Sequence, residues 1–264
     1  MAHKARKRFG QNFLHDKGVI DRIVSTLRLD AGQHWIEIGP GQGALTEPLI
    51  NTGIQLDIIE FDRDLVAMLQ NKYIDKPTLT IHSANALQFD FSSLAKEGQK
   101  LRIIGNLPYN ISTPLLFHLL DFADDIETMY FMLQKEVVDR MCAEPGSKKY
   151  GRLSVMLQYY CQATSLFEVY PESFEPKPKV TSAIVRLIPH LQAPVKLNDL
   201  QQFERVVKQA FSMRRKTIRN SLKGFLNEGE ISDLSIDPSC RAETLSLNDF
   251  ARLSDCYSTK TTKT

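Results

Sequence analysis

Short apolar runs alternate with longer segments of helical periodicity through the first two thirds of the chain. The runs predict buried strands, and the periodic segments between them predict helices. Strands and helices in alternation are typical of an α/β fold, in which helices cover both faces of a mostly parallel sheet. The predicted strands are 34–39, 55–60, 79–84, 101–106 and 128–133, and the helices between them include 44–52, 62–74 and 113–122.

The pattern changes after the fifth strand. Apolar stretches at 165–170 and 179–189 flank a proline-rich connection, which favours an antiparallel pair at one edge of the sheet. The sequence PHLQAPVKLN at 189–198 then indicates a domain boundary, with helices beyond it. We therefore predict a first domain with an N-terminal arm, a helical domain and a disordered tail, at 1–188 (arm 1–16), 189–257 and 258–264 respectively.

Apolar and basic residues separate onto two stripes of a predicted helix in the C-terminal region. The stripes hold Val207, Phe211, Ile218, Leu222 and Phe225 on one side and Lys208, Arg215, Arg219 and Lys223 on the other. Even with a break near Ser212, four-residue spacing places Arg215, Arg219 and Lys223 on one helical face. We interpret this face as an RNA-binding surface, with a generic solvated face as the alternative.

The formal net charge is only +2, but the positive charges are clustered. Lys4, Arg6, Lys7 and Arg8 open the chain, and the segment RRKTIRNSLK at 214–223 contains no acid. Such clusters favour a polyanionic partner, because they attract phosphate groups. Further basic residues that fit this interpretation are Lys148, Lys149, Arg152, Lys177 and Lys179.

Composition excludes several classes of protein. With 42% hydrophobic and 24% charged residues, the chain is typical of a globular protein, and no apolar run approaches the roughly 18 residues of a membrane span. The basic N-terminus lacks the apolar core of a secretory signal, and it is short and poor in serine for a transit peptide, so we expect a cytoplasmic protein. The four cysteines and six histidines form no C-x-x-C or H-E-x-x-H pattern, so no metal is predicted.

The first candidate site is the segment EIGPGQGALT, in which a predicted strand ends in Gly39, Gly41 and Gly43 before a helix. Glycines allow a tight turn and the close approach of a ligand. Glu60 follows at the end of the next strand, where an acid can bind both hydroxyls of a ribose. Together they indicate an adenosine-bearing ligand; the alternative is a simple strand-to-helix turn followed by a helix-capping acid.

The glycine spacing distinguishes between adenosine cofactors. The dinucleotide pattern is G-x-G-x-x-G, whereas this chain has G-x-G-x-G with Ala44 at the next position. S-adenosylmethionine fits better than NAD, because it carries adenosine without a pyrophosphate.

The second candidate site is the segment GNLPY, which follows the predicted strand 101–106 at the edge where ligands bind in open α/β sheets. The side-chain oxygen of Asn106 and the carbonyl of Leu107, held outward by Pro108, could accept hydrogen bonds from an exocyclic amine on a base. Tyr109 could stack on the extruded base. Alignment would then carry the catalysis without a general base. The alternative is a turn with a packed tyrosine.

These motifs together resemble the KsgA-type dimethyltransferases, which modify two adjacent adenines of 16S rRNA. The resemblance covers nearly the whole chain, although related large-subunit rRNA methyltransferases share single motifs. The matching segments are RFGQNFL (8–14), EIGPGQGALT (37–46), IEFD (59–62), GNLPYNISTPLL (105–116), YGRLSVMLQY (150–159), FEPKPKVTSAIVRL (174–187) and AFSMRRKTIRNSL (210–222).

The resemblance implies a class I, Rossmann-like methyltransferase with a smaller helical C-terminal domain, acting as a monomer on an assembling small ribosomal subunit. It implies that Phe174 closes the second face of the target adenine against Tyr109; a routine aromatic at a sheet edge is the alternative. Asn85 departs from the family's usual Asp, although an amide oxygen can still accept a hydrogen bond from adenine. The implied S-adenosylmethionine contacts are Asn12, Leu14, Gly39, Gly41, Glu60, Asn85 and Asn106.

Two other functions remain open at this stage. One is methylation of large-subunit rRNA, and the other is an assembly or transcription factor that kept the fold and lost catalysis. An intact GNLPY segment and glycine loop argue against the second of these.

Overall fold

The central feature of the computed structural model is a seven-stranded sheet. The structure describes residues 11–213 and 215–262. The strands are β1 Phe13–Leu14, β2 His34–Ile38, β3 Gln55–Glu60, β4 Leu79–Ser83, β5 Leu101–Asn106, β6 Ile126–Gln134, β7 Cys161–Val169, β8 Phe174–Glu175 and β9 Ser182–Pro189. The helices are α1 Lys17–Thr26, α2 Thr46–Ile50, α3 Arg63–Lys72, α4 Ser112–Leu120, α5 Lys135–Met141, α6 Arg152–Tyr160, α7 Leu200–Ala210, α8 Ile218–Ser221, α9 Glu228–Asp233 and α10 Leu247–Thr262.

The strand order is β4-β3-β2-β5-β6-β9-β7, and the first five strands in this order are parallel neighbours. All five strands predicted from apolar runs are therefore confirmed. Every residue of β2 is buried, as expected for a central strand covered on both faces. At the other edge β9 runs antiparallel to β6 and has β7 as its neighbour, so the two predicted edge strands do lie side by side.

Contacts divide the chain into two compact units, Met1–Val138 with Thr164–Pro189, and Asp139–Ala163 with His190–Thr264. The five parallel strands belong to the first unit. The predicted first domain is interrupted, because Asp139–Ala163, which holds the end of α5 and all of α6, groups with the later helices. Within the described residues no helix is long and apolar enough to cross a membrane.

The predicted tail at 258–264 is wrong for residues 258–262, because α10 continues to Thr262. Lys260 Nζ lies 3.0 and 3.2 Å from the two carboxylate oxygens of Glu230, and the Thr259 hydroxyl donates to Asp255 O at 2.9 Å. These contacts hold a segment whose composition alone is typical of disorder. Residues 263 and 264 lie outside the described residues.

The prediction that Arg215, Arg219 and Lys223 share one helical face is wrong, whereas the break near Ser212 is present. Helix α7 ends at Ala210, and of the described residues within 211–225 only the four of α8 are helical. The backbone N–H of Ile218 donates to Cys240 O at 2.7 Å, and that of Arg219 donates to Pro238 O at 3.2 Å. A segment distant in sequence therefore accepts these two hydrogen bonds. Val207, Ile218 and Leu222 are buried as the apolar stripe predicted, but Arg215 and Lys223 lie outside α8.

Candidate active site

A cavity of about 310 Å³ lies where the parallel strands end, in the first unit. Its walls come from the arm, the glycine loop after β2, the residues after β3 and β4, and the turn after β5. Ligands bind at this edge in open parallel sheets. The residues that form the walls include Gln11–Leu14, Gly39–Gln42, Ile59–Asp62, Ala84–Leu87 and Asn106–Ile111.

The glycine loop has no room for side chains at two positions. A Cβ on Gly41, where φ is +58°, would lie 3.0 Å from the ring of Phe13. One on Gly43, where φ is +85°, would lie 2.6 Å from the hydroxyl of Tyr73. The loop therefore packs between the arm and α3, and its backbone faces the cavity.

Glu60 ends β3 at the cavity and is buried. One of its carboxylate oxygens accepts the backbone N–H of Asp62 at 2.8 Å. Burial raises the pKa of the Glu60 carboxyl, and the backbone N–H groups of Asp62, Gly41 and Phe61 oppose this rise. The helix-cap alternative for Glu60 fails, because Asp62 caps α3 by accepting the Asp64 N–H at 3.1 Å.

Glu37 is a second buried acid at the cavity, which the sequence analysis did not select. The hydroxyl of Thr46, at the start of α2, donates to Glu37 Oε2 at 2.6 Å. Burial raises the pKa of Glu37 to about 7, and the nearby charge of Glu60 acts in the same direction. Its place at the end of β2, two positions before Gly39, is the signal that could have identified it.

Asn106 ends β5 and is tied to the arm. Its side-chain nitrogen donates to the backbone carbonyl of Asn12 at 3.1 Å. This bond uses one of the two N–H donors of the amide and holds the side chain in place, and Oδ1 remains able to accept a hydrogen bond from a ligand. No other residue of the described chain forms a side-chain hydrogen bond with it.

The turn that follows Asn106 holds the remaining predicted residues. Leu107 is buried, and its N–H donates to Met132 O at 3.3 Å, while its carbonyl has no hydrogen-bond partner among the described residues. The carbonyl of Pro108 accepts the N–H of Ile111 at 3.1 Å and closes the turn. Asn106, Leu107, Pro108 and Tyr109 all line the cavity, so the structure brings them together as predicted.

Leu14 and Asn85 also line the cavity. Asn85 Oδ1 accepts the backbone N–H of Leu87 at 3.1 Å, so its amide stabilises the turn after β4. Phe174 differs: it is 1% exposed, pairs with Leu14 across β1 and β8, and is not part of the cavity wall. The structure therefore does not place Phe174 beside Tyr109 at the cavity wall.

Two further residues at the cavity were missed. Phe61 directly follows Glu60 and is 60% exposed, which is unusual for a large aromatic ring beside a buried acid. Gln11 reaches from the arm and donates to Asp62 Oδ2 at 3.3 Å. An aromatic residue after an acid at a strand end was the available signal for Phe61.

The predicted RNA-binding cations lie in the second unit. Arg215, Arg219 and Lys223 are all exposed. Arg219 forms an ion pair with Glu228 at 2.9 Å, in which both side chains are solvated. Of the residues that the structure describes, no three His, Cys, Asp or Glu side chains are grouped so as to hold a metal ion.

Comparison with known proteins identifies the family. The family model described as ribosomal RNA adenine dimethylase matches residues 2–259. The chain belongs to this family. A Pseudomonas putida protein named ribosomal RNA small subunit methyltransferase A is 54% identical over 253 residues, covering 96% of this chain and 95% of that protein. A protein of the same name from Pseudomonas aeruginosa is also 54% identical over 253 residues, covering 96% and 94%.

Solved structures agree with this assignment. A dimethyladenosine transferase from Plasmodium falciparum has a TM-score of 0.78 at 25% identity, covering 91% of this chain and 95% of that one. The 23S rRNA methyltransferase ErmE has a TM-score of 0.73 at 25% identity, covering 94% and 100%. The ribosomal RNA adenine dimethylase described here is thus an α/β enzyme with the class I methyltransferase fold, and membership of a methyltransferase family implies use of S-adenosylmethionine.

Proposed function

We propose that this adenine dimethylase transfers methyl groups from S-adenosylmethionine to the N6 atoms of two adjacent adenines in a hairpin loop of 16S rRNA, during assembly of the small ribosomal subunit. The observation that carries the proposal is the orientation of Asn106. Its amide nitrogen is bound within the protein, which leaves an acceptor for the amino group of a base.

The residues of the cavity fit the cofactor. A buried acid at the end of β3, a close-packed glycine loop and an exposed aromatic ring offer partners for a ribose, a methionine portion and an adenine, respectively. When bound, S-adenosylmethionine supplies an electrophilic methyl group on a sulfonium ion. We assign its contacts to Asn12, Leu14, Gly39, Gly41, Glu60, Asn85 and Asn106, with Phe61 added from the structure.

Asn106 and Leu107 would prepare the amine for transfer. The lone pair of an exocyclic amine is delocalised into the base, so the nitrogen is a poor nucleophile until acceptors engage its N–H groups. Asn106 Oδ1 and the Leu107 carbonyl supply two such acceptors at one turn, and neither has a protein donor among the described residues. Because both are fixed before the base arrives, little reorganisation is needed during transfer.

Tyr109 would hold the extruded base by stacking, since one partly buried ring lines the cavity beside both acceptors. Phe174 is 1% exposed in this structure, so it can serve as the second face only if its ring becomes accessible. The proton of the methylated amine needs no strong base, because a protonated arylamine is acidic enough to release it to water.

Exposed cations of the second unit would bind the RNA backbone. Arg215, Arg219 and Lys223 are solvated and lie within the basic segment 214–223. Phosphate contacts fix the position of a protein on RNA without reading sequence. Choice of the target adenines then rests with the turn after β5.

The decisive experiment supplies labelled S-adenosylmethionine together with small and large ribosomal subunits that lack adenine methylation, then maps the modified nucleotides. Label on N6 of two adjacent adenines of 16S rRNA is the expected result. Label confined to large-subunit RNA would show that the chain methylates large-subunit rRNA instead. Binding without label would indicate a non-catalytic role in assembly.

A further inference from the structure

Tyr109 is tethered at the far end of its ring. Its phenolic oxygen lies 3.0 Å from the hydroxyl oxygen of Ser182, a residue distant in sequence. Tyr109 itself lies in a turn between β5 and α4, which has no ladder of backbone hydrogen bonds to fix it. The tether therefore joins an irregular segment at the cavity to another part of the sheet.

Ser182 is a firm anchor. It is 1% exposed, opens β9 and pairs with Gln134 of β6. The preceding residue, Thr181, accepts the backbone N–H of Lys135 at 2.9 Å. Pairing with β6 and the hydrogen bond from Lys135, the first residue of α5, therefore hold the backbone around Ser182.

A buried hydroxyl without a hydrogen-bond partner is unfavourable. The Ser182 hydroxyl therefore favours positions of the Tyr109 ring in which the phenolic oxygen stays within hydrogen-bond distance. Rotation about the Cα–Cβ bond of Tyr109 would carry the phenolic oxygen away from Ser182, so the hydrogen bond at the tip of the ring restricts that rotation. The hydroxyl of Ser112 donates to the Tyr109 carbonyl at 3.2 Å and fixes the backbone end. Ring and backbone are thus held independently.

We propose that Ser182 is a positioning residue for methyl transfer: its hydroxyl holds the Tyr109 ring in the position at which the target base stacks in line with Asn106. This inference rests on the proposed function. Ser182 itself does not line the cavity and would not touch the substrate. Its effect should therefore appear in the rate of transfer rather than in cofactor binding.

The test compares Ser182→Ala, Tyr109→Phe and the double variant in single-turnover transfer to small subunits that lack adenine dimethylation. Each single change removes one end of the same hydrogen bond, and each should lower the rate about three- to tenfold. The double variant should be no slower than the slower single variant, because no further bond remains to be lost. S-adenosylmethionine affinity, measured by calorimetry, should stay unchanged in all three.

Thr128→Val is the matched control. The hydroxyl of Thr128 in β6 donates a hydrogen bond to Leu187 O in β9 at 3.4 Å, but Thr128 does not bond with Tyr109. Its loss should leave the transfer rate unchanged. A wild-type rate in Ser182→Ala, or losses that simply multiply in the double variant, would overturn the positioning role alone. Wild-type protein that transfers no label would overturn the proposed function as well, so the two failures are distinguishable.

Discussion

The side-chain nitrogen of Asn106 donates to the backbone carbonyl of Asn12 at 3.1 Å, across 94 positions of sequence. The bond joins the end of a central strand to the arm, which also supplies part of the cavity wall. One contact thus fixes both the amide that would accept from the substrate amine and the segment that closes the cofactor cavity.

Replacement of Asn106 should abolish most transfer. Asn106→Ala removes one of two acceptors, and we expect the single-turnover rate to fall about 100- to 1,000-fold, as when one preorganised partner is deleted from an active site. Asn106→Asp keeps an acceptor but cannot donate to the Asn12 carbonyl, so it should also be slow. RNA affinity should change little in both variants. A near-normal rate in Asn106→Ala would contradict the acceptor role.

Glu60→Ala should weaken S-adenosylmethionine binding by about 1.5–3 kcal/mol, because a charged acceptor for the ribose hydroxyls is lost. Calorimetry measures the change directly. Glu60 also accepts a backbone N–H from Asp62 at 2.8 Å, so thermal unfolding without cofactor is the necessary control. Unchanged affinity in a folded variant would limit Glu60 to holding the backbone at the end of β3.

Glu37 should make stability depend on pH near neutrality. Its pKa rises to about 7 in the folded chain, so the folded state holds this proton more tightly than the unfolded state. Stability should therefore fall as pH rises from about 4.5 to 7, by on the order of 3 kcal/mol at 1.36 kcal/mol per pKa unit. Glu37→Gln keeps an acceptor for Thr46 and should flatten this decline. Urea unfolding at pH 5, 6, 7 and 8 measures the unfolding free energy of both proteins. The same dependence on pH in wild type and Glu37→Gln would contradict the interpretation.

Asp57 should have the opposite effect in acid. Its carboxylate lies 2.5 Å from the ring nitrogens of both His34 and His82. Burial raises the pKa of Asp57, but the hydrogen bonds and charges of the two histidines outweigh it and lower that pKa to about 2. The resulting stabilisation should be present above about pH 4 and should be lost as pH falls through 2.

Asp57→Asn provides the comparison for that prediction. The variant removes the titrating carboxylate and keeps the side-chain volume. The difference in unfolding free energy between wild type and variant should shrink as pH falls from about 4 toward 2. A difference that does not change over this range would show that the histidine contacts do not depend on the charge of Asp57.

Local patterns were sufficient for much of the fold and of the site. The parallel strands β2, β3 and β5 are short segments rich in apolar residues, and they could be located within one residue of their observed ends. Glu60 and Asn106 both come last in such runs, and parallel packing brings those ends to one edge. The cavity could therefore be predicted from strand ends alone.

Non-local contacts explain what the sequence could not show. The backbone N–H groups of Ile218 and Arg219 donate to Cys240 and Pro238, so these residues do not continue α7. Phe174 lies in β8, which pairs with β1 of the arm, and its side chain is buried. In both cases the deciding partner lies far away in sequence, where neither periodicity nor motif spacing carries information.

The cations of the second unit should contribute to the salt dependence of RNA binding. Replacement of Arg215, Arg219 and Lys223 by Ala should weaken binding to small subunits and leave S-adenosylmethionine affinity unchanged. Each lost phosphate contact reduces the slope of log K against log salt by about 0.7 to 0.9, so three contacts would flatten it by roughly 2 to 3 units. Arg219 should contribute the least to this change in slope, because it already forms an ion pair with Glu228.

A control of equal charge separates docking from general attraction. Lys76, Lys96 and Lys100 are exposed and precede β4 and β5, at the edge of the sheet opposite the cavity. Their replacement by Ala removes the same charge and should leave the slope almost unchanged. Because phosphate contacts do not read bases, the Arg215, Arg219 and Lys223 variant should still modify the same adenines when RNA is abundant. Equal slopes for wild type and this variant would move the docking role to Lys4, Arg6, Lys7 and Arg8, which lie outside the described residues.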